Sequence, residues 1–245
     1  MYIIMKILSI GNSFAQDSTA YLHEMSKTGN VNIDVINLFI GGCSLEHHFN
    51  NIERNISEYA YEKNGERIES RGLVSLNDIL LEEKWDFITI QQVSYLSGLK
   101  DTYQPYFDKI YNYLKQNAPK SELIIHKTWA YDKEAAHKGF ENYDWNQEKM
   151  YVGLTQAYEG IAKEYNLRFI PCGNAMQLAR AHNIPMNRDG FHAHLLYGRY
   201  LLSAVWYQFF SGNDIENNPY SIDGITDSEL RILKNCSKEA LLMIK

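Results

Sequence analysis

The sequence predicts an α/β protein built on a parallel sheet, and three observations carry that expectation. Apolar runs of strand length alternate with segments whose apolar residues recur at helical spacing, the pattern of successive strand-helix units. The chain has 245 residues, 45% apolar and 22% charged, which fits a compact fold and excludes a disordered or collagen-like chain. No internal repeat, low-complexity tract or Pro/Ser-rich linker divides it, so one domain over residues 1–245 is expected.

Residues 7–10 read as the first strand, followed at Gly11-Asn12-Ser13-Phe14 by the start of a helix. Phe14, Tyr21, Leu22 and Met25 give that helix an apolar side, and Gly29 is its stop. Residues 35–40 form the second strand and run into Gly41-Gly42-Cys43-Ser44. The stretch 45–84 is too long for a simple crossover, is rich in charge and carries the turn signal Asn64-Gly65, so helices plus a surface insertion are expected there. Residues 87–90, 123–125 and 168–170 complete the strand candidates. Two helices follow from spacing, one on Tyr103, Phe107, Ile110 and Leu114, the other on Met150, Leu154, Tyr158, Ile161 and Tyr165. Residues 193–245 close the fold with a helix over 193–210, whose apolar side is Leu196, Tyr200, Leu201, Ala204 and Phe209, and one over 227–244 capped by Asp227 or Ser228.

Composition excludes several functions. The formal charge is −6 and no Lys/Arg block occurs, whereas a nucleic-acid surface needs a basic stripe, so no nucleic-acid partner is expected. No apolar stretch approaches the roughly 20 residues of a membrane-spanning helix, and no membrane partner is expected. Residues 1–10 carry one lysine and run straight into a Gly-bearing turn without a cleavage site, which points to a cytoplasmic protein. Cys43, Cys172 and Cys236 are too scattered for a disulfide framework or a zinc site and read as reduced core thiols. His47-His48 and His192-x-His194 supply imidazoles without a compact ligand set, so neither metal nor cofactor is expected.

Four segments could carry chemistry. Ser13 stands where a strand ends and a helix begins, at the sheet edge where ligands bind in open α/β folds. Free N–H groups and the positive end of the helix dipole would favour a developing oxyanion there, although serine is equally a preferred helix cap. In Asp189-Gly190-Phe191-His192, a histidine that can take a serine proton follows at three residues an aspartate that can hold its other nitrogen. That spacing favours His192 over the neighbouring His194 as the base, against the alternative of a plain Asp-Gly turn. Gly42 and the pair Gln91-Gln92 follow the second and third strands and could donate to the same oxygen, or serve as a tight turn and a polar strand end. Strand alternation lets only one glutamine of the pair face the site.

Together these blocks resemble the SGNH, or GDSL-like, hydrolases. Gly11-Asn12-Ser13-Phe14 resembles the nucleophile block, Gly42 the second-block glycine, and Asp189-Gly190-Phe191-His192 the closing Asp-x-x-His block. More narrowly, the chain is similar to a DUF4886-like domain type of gut Bacteroidetes, with Ile90-Gln91-Gln92-Val93-Ser94 as its third block. The resemblance implies a three-layer α/β/α sandwich on a five-stranded parallel sheet and a metal-free serine esterase. Ser13 would be the nucleophile, His192 the base and Asp189 its orienting carboxylate, with the N–H groups of Ser13 and Gly42 and the amide of Gln91, or alternatively Gln92, as the oxyanion hole. Asn12 replaces the aspartate of the better-known motif, and the Gly-x-Asn-Asp pattern is absent. Ser94, His126, Trp129 and Tyr131 are candidate pocket residues; Trp129, Tyr131, Tyr143 and Trp145 could form a sugar platform or simply pack a long loop. The expected substrate is a small-molecule or carbohydrate ester, most simply an acetyl ester. The other reading is a binding or scaffold protein that retains the fold without turnover.

Overall fold

The computed structural model describes residues 4–244. From the N-terminal side, β1 (Ile4–Gly11) leads through α1 (Ser13–Thr19) and α2 (Leu22–Thr28) to β2 (Asn32–Phe39). The long stretch that follows contains α3 (Leu45–Arg54), β3 (Tyr59–Lys63), β4 (Glu66–Arg67), β5 (Leu73–Val74) and α4 (Leu76–Glu82). Alternation then resumes with β6 (Phe87–Ile90), α5 (Tyr106–Asn117), β7 (Glu122–His126), α6 (Gln147–Tyr165) and β8 (Arg168–Ile170). The helices α7 (Cys172–Arg180), α8 (Tyr197–Ser211) and α9 (Asp227–Leu242) finish the fold.

All eight strands belong to one sheet in the order β4-β3-β2-β1-β6-β7-β8, with β5 paired to β3. The five strands expected from sequence, β2-β1-β6-β7-β8, are mutually parallel. On β1, Ile7, Leu8 and Ile10 are all buried, as a central strand covered on both faces requires. With the right-handed crossovers general to parallel sheets, the strand order requires α1 and α2 on one side of the sheet and α3 to α6 on the other. Of the C-terminal helices, α8 packs on α1 and α2, and α7 and α9 pack on α8 and on each other. Among the described residues no helix is long and apolar enough to cross a membrane.

The structure revises four local expectations. The 45–84 stretch is more than helices and surface, because β3 pairs antiparallel to β2 and widens the sheet from five strands to eight. Asn64 and Gly65, both at positive φ, make the turn that pairs Lys63 with Glu66, but two-residue strands leave too short a pattern to read. The first helix breaks into α1 and α2. The helix expected from residue 193 begins at Tyr197, since Asn187 and Ala193 are bridged across the turn before it, and Phe210 is buried there where Phe209 is not. The cap of α9 is Thr226, whose hydroxyl accepts from Glu229 N–H while the Glu229 carboxylate accepts from Thr226 N–H.

Candidate active site

The end of β1 presents Ser13 because Gly11 and Asn12 shape the turn. A side chain at Gly11 would collide with Ala15, so only glycine lets α1 fold back against the strand. Asn12, not Ser13, caps α1: its Oδ1 accepts the Phe14 N–H at 3.0 Å. Ser13 is the first helical residue, and its hydroxyl is free of capping.

The Ser13 Oγ lies 2.9 Å from His192 Nε2. On the other side of that ring, His192 Nδ1 meets Asp189 Oδ2 at 2.6 Å. Asp189 Oδ1 accepts the backbone N–H groups of His192 at 2.8 Å and Phe191 at 3.2 Å. Burial alone would raise the Asp189 carboxyl, but these hydrogen bonds outweigh it and hold the group below its ordinary range. Gly190, at φ +87°, makes the reversal, and a Cβ there would press on Ala135. His194 points its chemistry elsewhere, with Nδ1 accepting the Leu196 N–H at 3.3 Å and the ring stacked on Tyr197.

The segment carrying His192 is fastened to α1. Asp17, one turn beyond Ser13 and fully buried, accepts from Arg188 Nη1 at 2.9 and 3.1 Å, from Arg199 Nε at 2.8 Å and from Ala193 N–H at 3.0 Å. Phe14 stacks on Trp129 with centroids 4.1 Å apart, and Trp129 Nε1 donates to Phe191 O at 2.9 Å. Histidine and serine are therefore held from both flanks.

Ser13 and Gly42 both line a cavity of about 350 Å³. Neither backbone N–H has an acceptor among the described residues, so both are available to an oxygen placed beside Oγ. Gly42 adopts φ +64°, which favours glycine. Asn12 Nδ2 donates to Cys43 O at 3.2 Å and so ties the two loops together. A larger groove of about 650 Å³ runs along β8, between Phe209 and Lys238, but no nucleophile–base pair lies in it.

Residues 6–240 match the family model of a domain of unknown function, DUF4886. The chain belongs to the DUF4886 family. It is similar to the crystal structure of a DUF4886 family protein from Bacteroides uniformis, with 39% identity, a TM-score of 0.93, and coverage of 98% of this chain and 95% of that one. Fold likeness extends to a protein assigned as an SGNH hydrolase from Slackia heliotrinireducens, at 19% identity and a TM-score of 0.58 over 85% of this chain and all 100% of that one. A protein assigned as a GDSL-like lipase from Parabacteroides merdae aligns at 15% identity and a TM-score of 0.57, over 86% and 97% of the two chains. No curated protein matches. The DUF4886 chain thus has the SGNH hydrolase fold, a mostly parallel sheet between helices, here with an antiparallel extension.

Not every expected site residue of this DUF4886 protein reaches Ser13. Gln91 lies behind the site: its Nε2 donates to Asn12 Oδ1 at 2.7 Å and its Oε1 faces His126 Nδ1 at 2.5 Å. Gln92 is also committed, its Oε1 accepting from Leu45 and Val93 N–H and its Nε2 donating to Thr102. Both glutamines are buried and neither lines the cavity, so the side-chain donor expected beside Ser13 is not there. His126 is buried as well, pushed down to about 3 by loss of water, with Nε2 against Ser18 Oγ at 3.1 Å. Trp129, Tyr131 and Tyr143 pack in the interior rather than forming a platform, and only Trp145 of that group is exposed. Ser94 does line the cavity, its Oγ 2.7 Å from Tyr131 Oη.

Sequence reasoning missed Phe39, Tyr95, His137 and Phe191 on the cavity wall, and the Asp17–Arg188–Arg199 cluster. Asp17 carried no local signal, since Ser13, Gln16, Ser18 and Thr19 around it on the same short helix are polar as well. Among the described residues no group of three His, Cys, Asp or Glu is arranged to hold a metal ion.

Proposed function

We propose that this DUF4886 protein is a serine ester hydrolase acting on a short acyl ester, with acetyl as the acyl group and a carbohydrate as the alcohol half. The observation that carries this reading is the hydrogen-bonded row Ser13–His192–Asp189, whose Ser13 and His192 line the cavity. Ser13 Oγ attacks the ester carbonyl carbon while His192 Nε2 takes the hydroxyl proton, and Asp189 stabilises the imidazolium. The carbonyl electrons move onto oxygen, which the N–H groups of Ser13 and Gly42 receive, one such donor being worth about 3 kcal/mol of barrier. As the C–O bond to the alcohol breaks, His192 returns its proton to the departing oxygen. Water then attacks the acyl carbon while His192 takes its proton, and as the bond to Ser13 Oγ breaks His192 returns that proton to the serine oxygen and the carboxylic acid departs. The modest cavity of about 350 Å³ supports a small acyl group.

Substituting Ser13→Ala tests the reading. Turnover of p-nitrophenyl acetate is expected to vanish while Tm stays near wild type, because among the described residues the Ser13 side chain hydrogen-bonds to His192 alone. A serine-directed organophosphonate should label wild-type Ser13. Full activity in the variant would overturn the assignment, and a wild-type protein that is neither labelled nor active would favour a binding protein on the same fold.

A further inference from the structure

We infer that Tyr95, His137 and Phe191 form a subsite for the alcohol half of the ester, and that His137 selects alcohols bearing a hydroxyl or ether oxygen next to the ester-bearing carbon, as on a sugar ring. The inference rests on the esterase reading for the position of the ester. The departing oxygen must stand within hydrogen-bond reach of His192 Nε2 to receive its proton, so the alcohol carbons lie on the cavity wall beside that ring. That wall is Phe191, whose ring centroid is 4.1 Å from that of His192, and then His137, 4.9 Å from Phe191. Tyr95 stacks on His137 at 5.9 Å, and all three residues line the cavity.

The chemistry of this wall is mixed in a defined way. His137 Nδ1 accepts the Gly139 N–H at 3.0 Å, which leaves the proton on Nε2. Burial, followed by the neighbouring His192, holds the ring below the ordinary histidine range, so at neutral pH it is an uncharged donor. Among the described residues neither His137 Nε2 nor Tyr95 Oη has a hydrogen-bond partner, whereas Ser94 and Tyr131 are paired with each other. Gly139 fixes the stacked pair: a Cβ there would run into the Tyr95 ring. An apolar alcohol would cover Phe191 but strip water from two unpaired donors, which costs binding. A polyol ring places C–H bonds on Phe191 and oxygens at both donors.

The test compares a mono-O-acetylated methyl glucoside with p-nitrophenyl acetate, whose leaving group has no neighbouring hydroxyl. In His137→Phe the ratio of kcat/KM for the sugar ester over the nitrophenyl ester is expected to fall about tenfold, through KM, the worth of one neutral hydrogen bond. His137→Gln, which restores an N–H, should recover most of the ratio, and Tyr95→Phe should lower it without altering the histidine. In the Ser13→Ala background, calorimetric affinity for the same acetyl glucoside should weaken in parallel when His137→Phe is added. An unchanged ratio and unchanged affinity overturn the subsite. Absent turnover and absent Ser13 labelling overturn the esterase reading instead, and the binding measurement still decides the subsite.

Discussion

Replacing Asp17 with asparagine removes one charge and keeps the shape of the side chain, which isolates what holds the His192 segment to α1. Asp17 is 0% exposed, while the Arg188 and Arg199 side chains retain 29% and 23% exposure. Breaking a buried ion pair by removing one partner costs about 3–5 kcal/mol, because the remaining charge is left desolvated. Both arginines can turn partly to water and the asparagine oxygen can still accept from Ala193 N–H, so the low end applies, about 3 kcal/mol. For a chain of this length that lowers Tm by roughly 6–12 °C. Calorimetric melting gives the direct reading, repeated at high salt, where a pair shielded from solvent should keep its effect. Organophosphonate labelling of Ser13 should slow in the folded variant, since Arg188 and Ala193 flank the residues that position His192. A variant that melts with the wild type and labels at the wild-type rate would refute the claim that this charge cluster sets the site.

Two further outcomes are expected. Gln91→Leu leaves Asn12 Oδ1 with one donor and His126 Nδ1 with none, at a cost of about 1–3 kcal/mol, and it should slow Ser13 labelling although Gln91 lies outside the cavity; chemical denaturation and labelling rates check both. His48 and His126 are buried and pushed down to about 3, so between pH 6.5 and that value the unfolded chain binds protons that the folded chain does not. Stability therefore falls as pH falls through this window, each histidine contributing roughly 1 kcal/mol per pH unit. Urea titrations at pH 6 and pH 5 should show a shallower dependence in His126→Asn, and an identical slope would contradict the burial of a neutral ring.

The parallel sheet was legible because its strands are short apolar runs and its helices keep their spacing, as Met150, Leu154, Tyr158 and Ile161 do on α6. Ser13 and Gly42 were legible as residues after strands, and Asp189 and His192 as the loop before the C-terminal helices; the structure brings Ser13, Gly42 and His192 to one cavity with Asp189 bound to the far side of the His192 ring. Gln91 was misplaced because spacing reveals which face of a strand a residue occupies but not how far a buried amide is already engaged. Trp129 and Tyr131 read equally well as surface or interior, and packing against Phe14 and Phe140 decided for the interior. Tyr95 and His137 lie far apart in sequence and become neighbours only through the loop after β7, so no local pattern announces them.

The pairing of Ser13 with His192 spans 179 residues, and that of Asp17 with Arg188 spans 171. Contacts of such separation form late, because the intervening loop must close before they return any free energy. A growing or partly refolded chain can complete β1 and α1 while its serine still lacks a base. On the proposed esterase mechanism the Ser13 hydroxyl would stay silent until the C-terminal segment docks, and recovery of organophosphonate labelling after denaturation would time that docking rather than the assembly of the sheet.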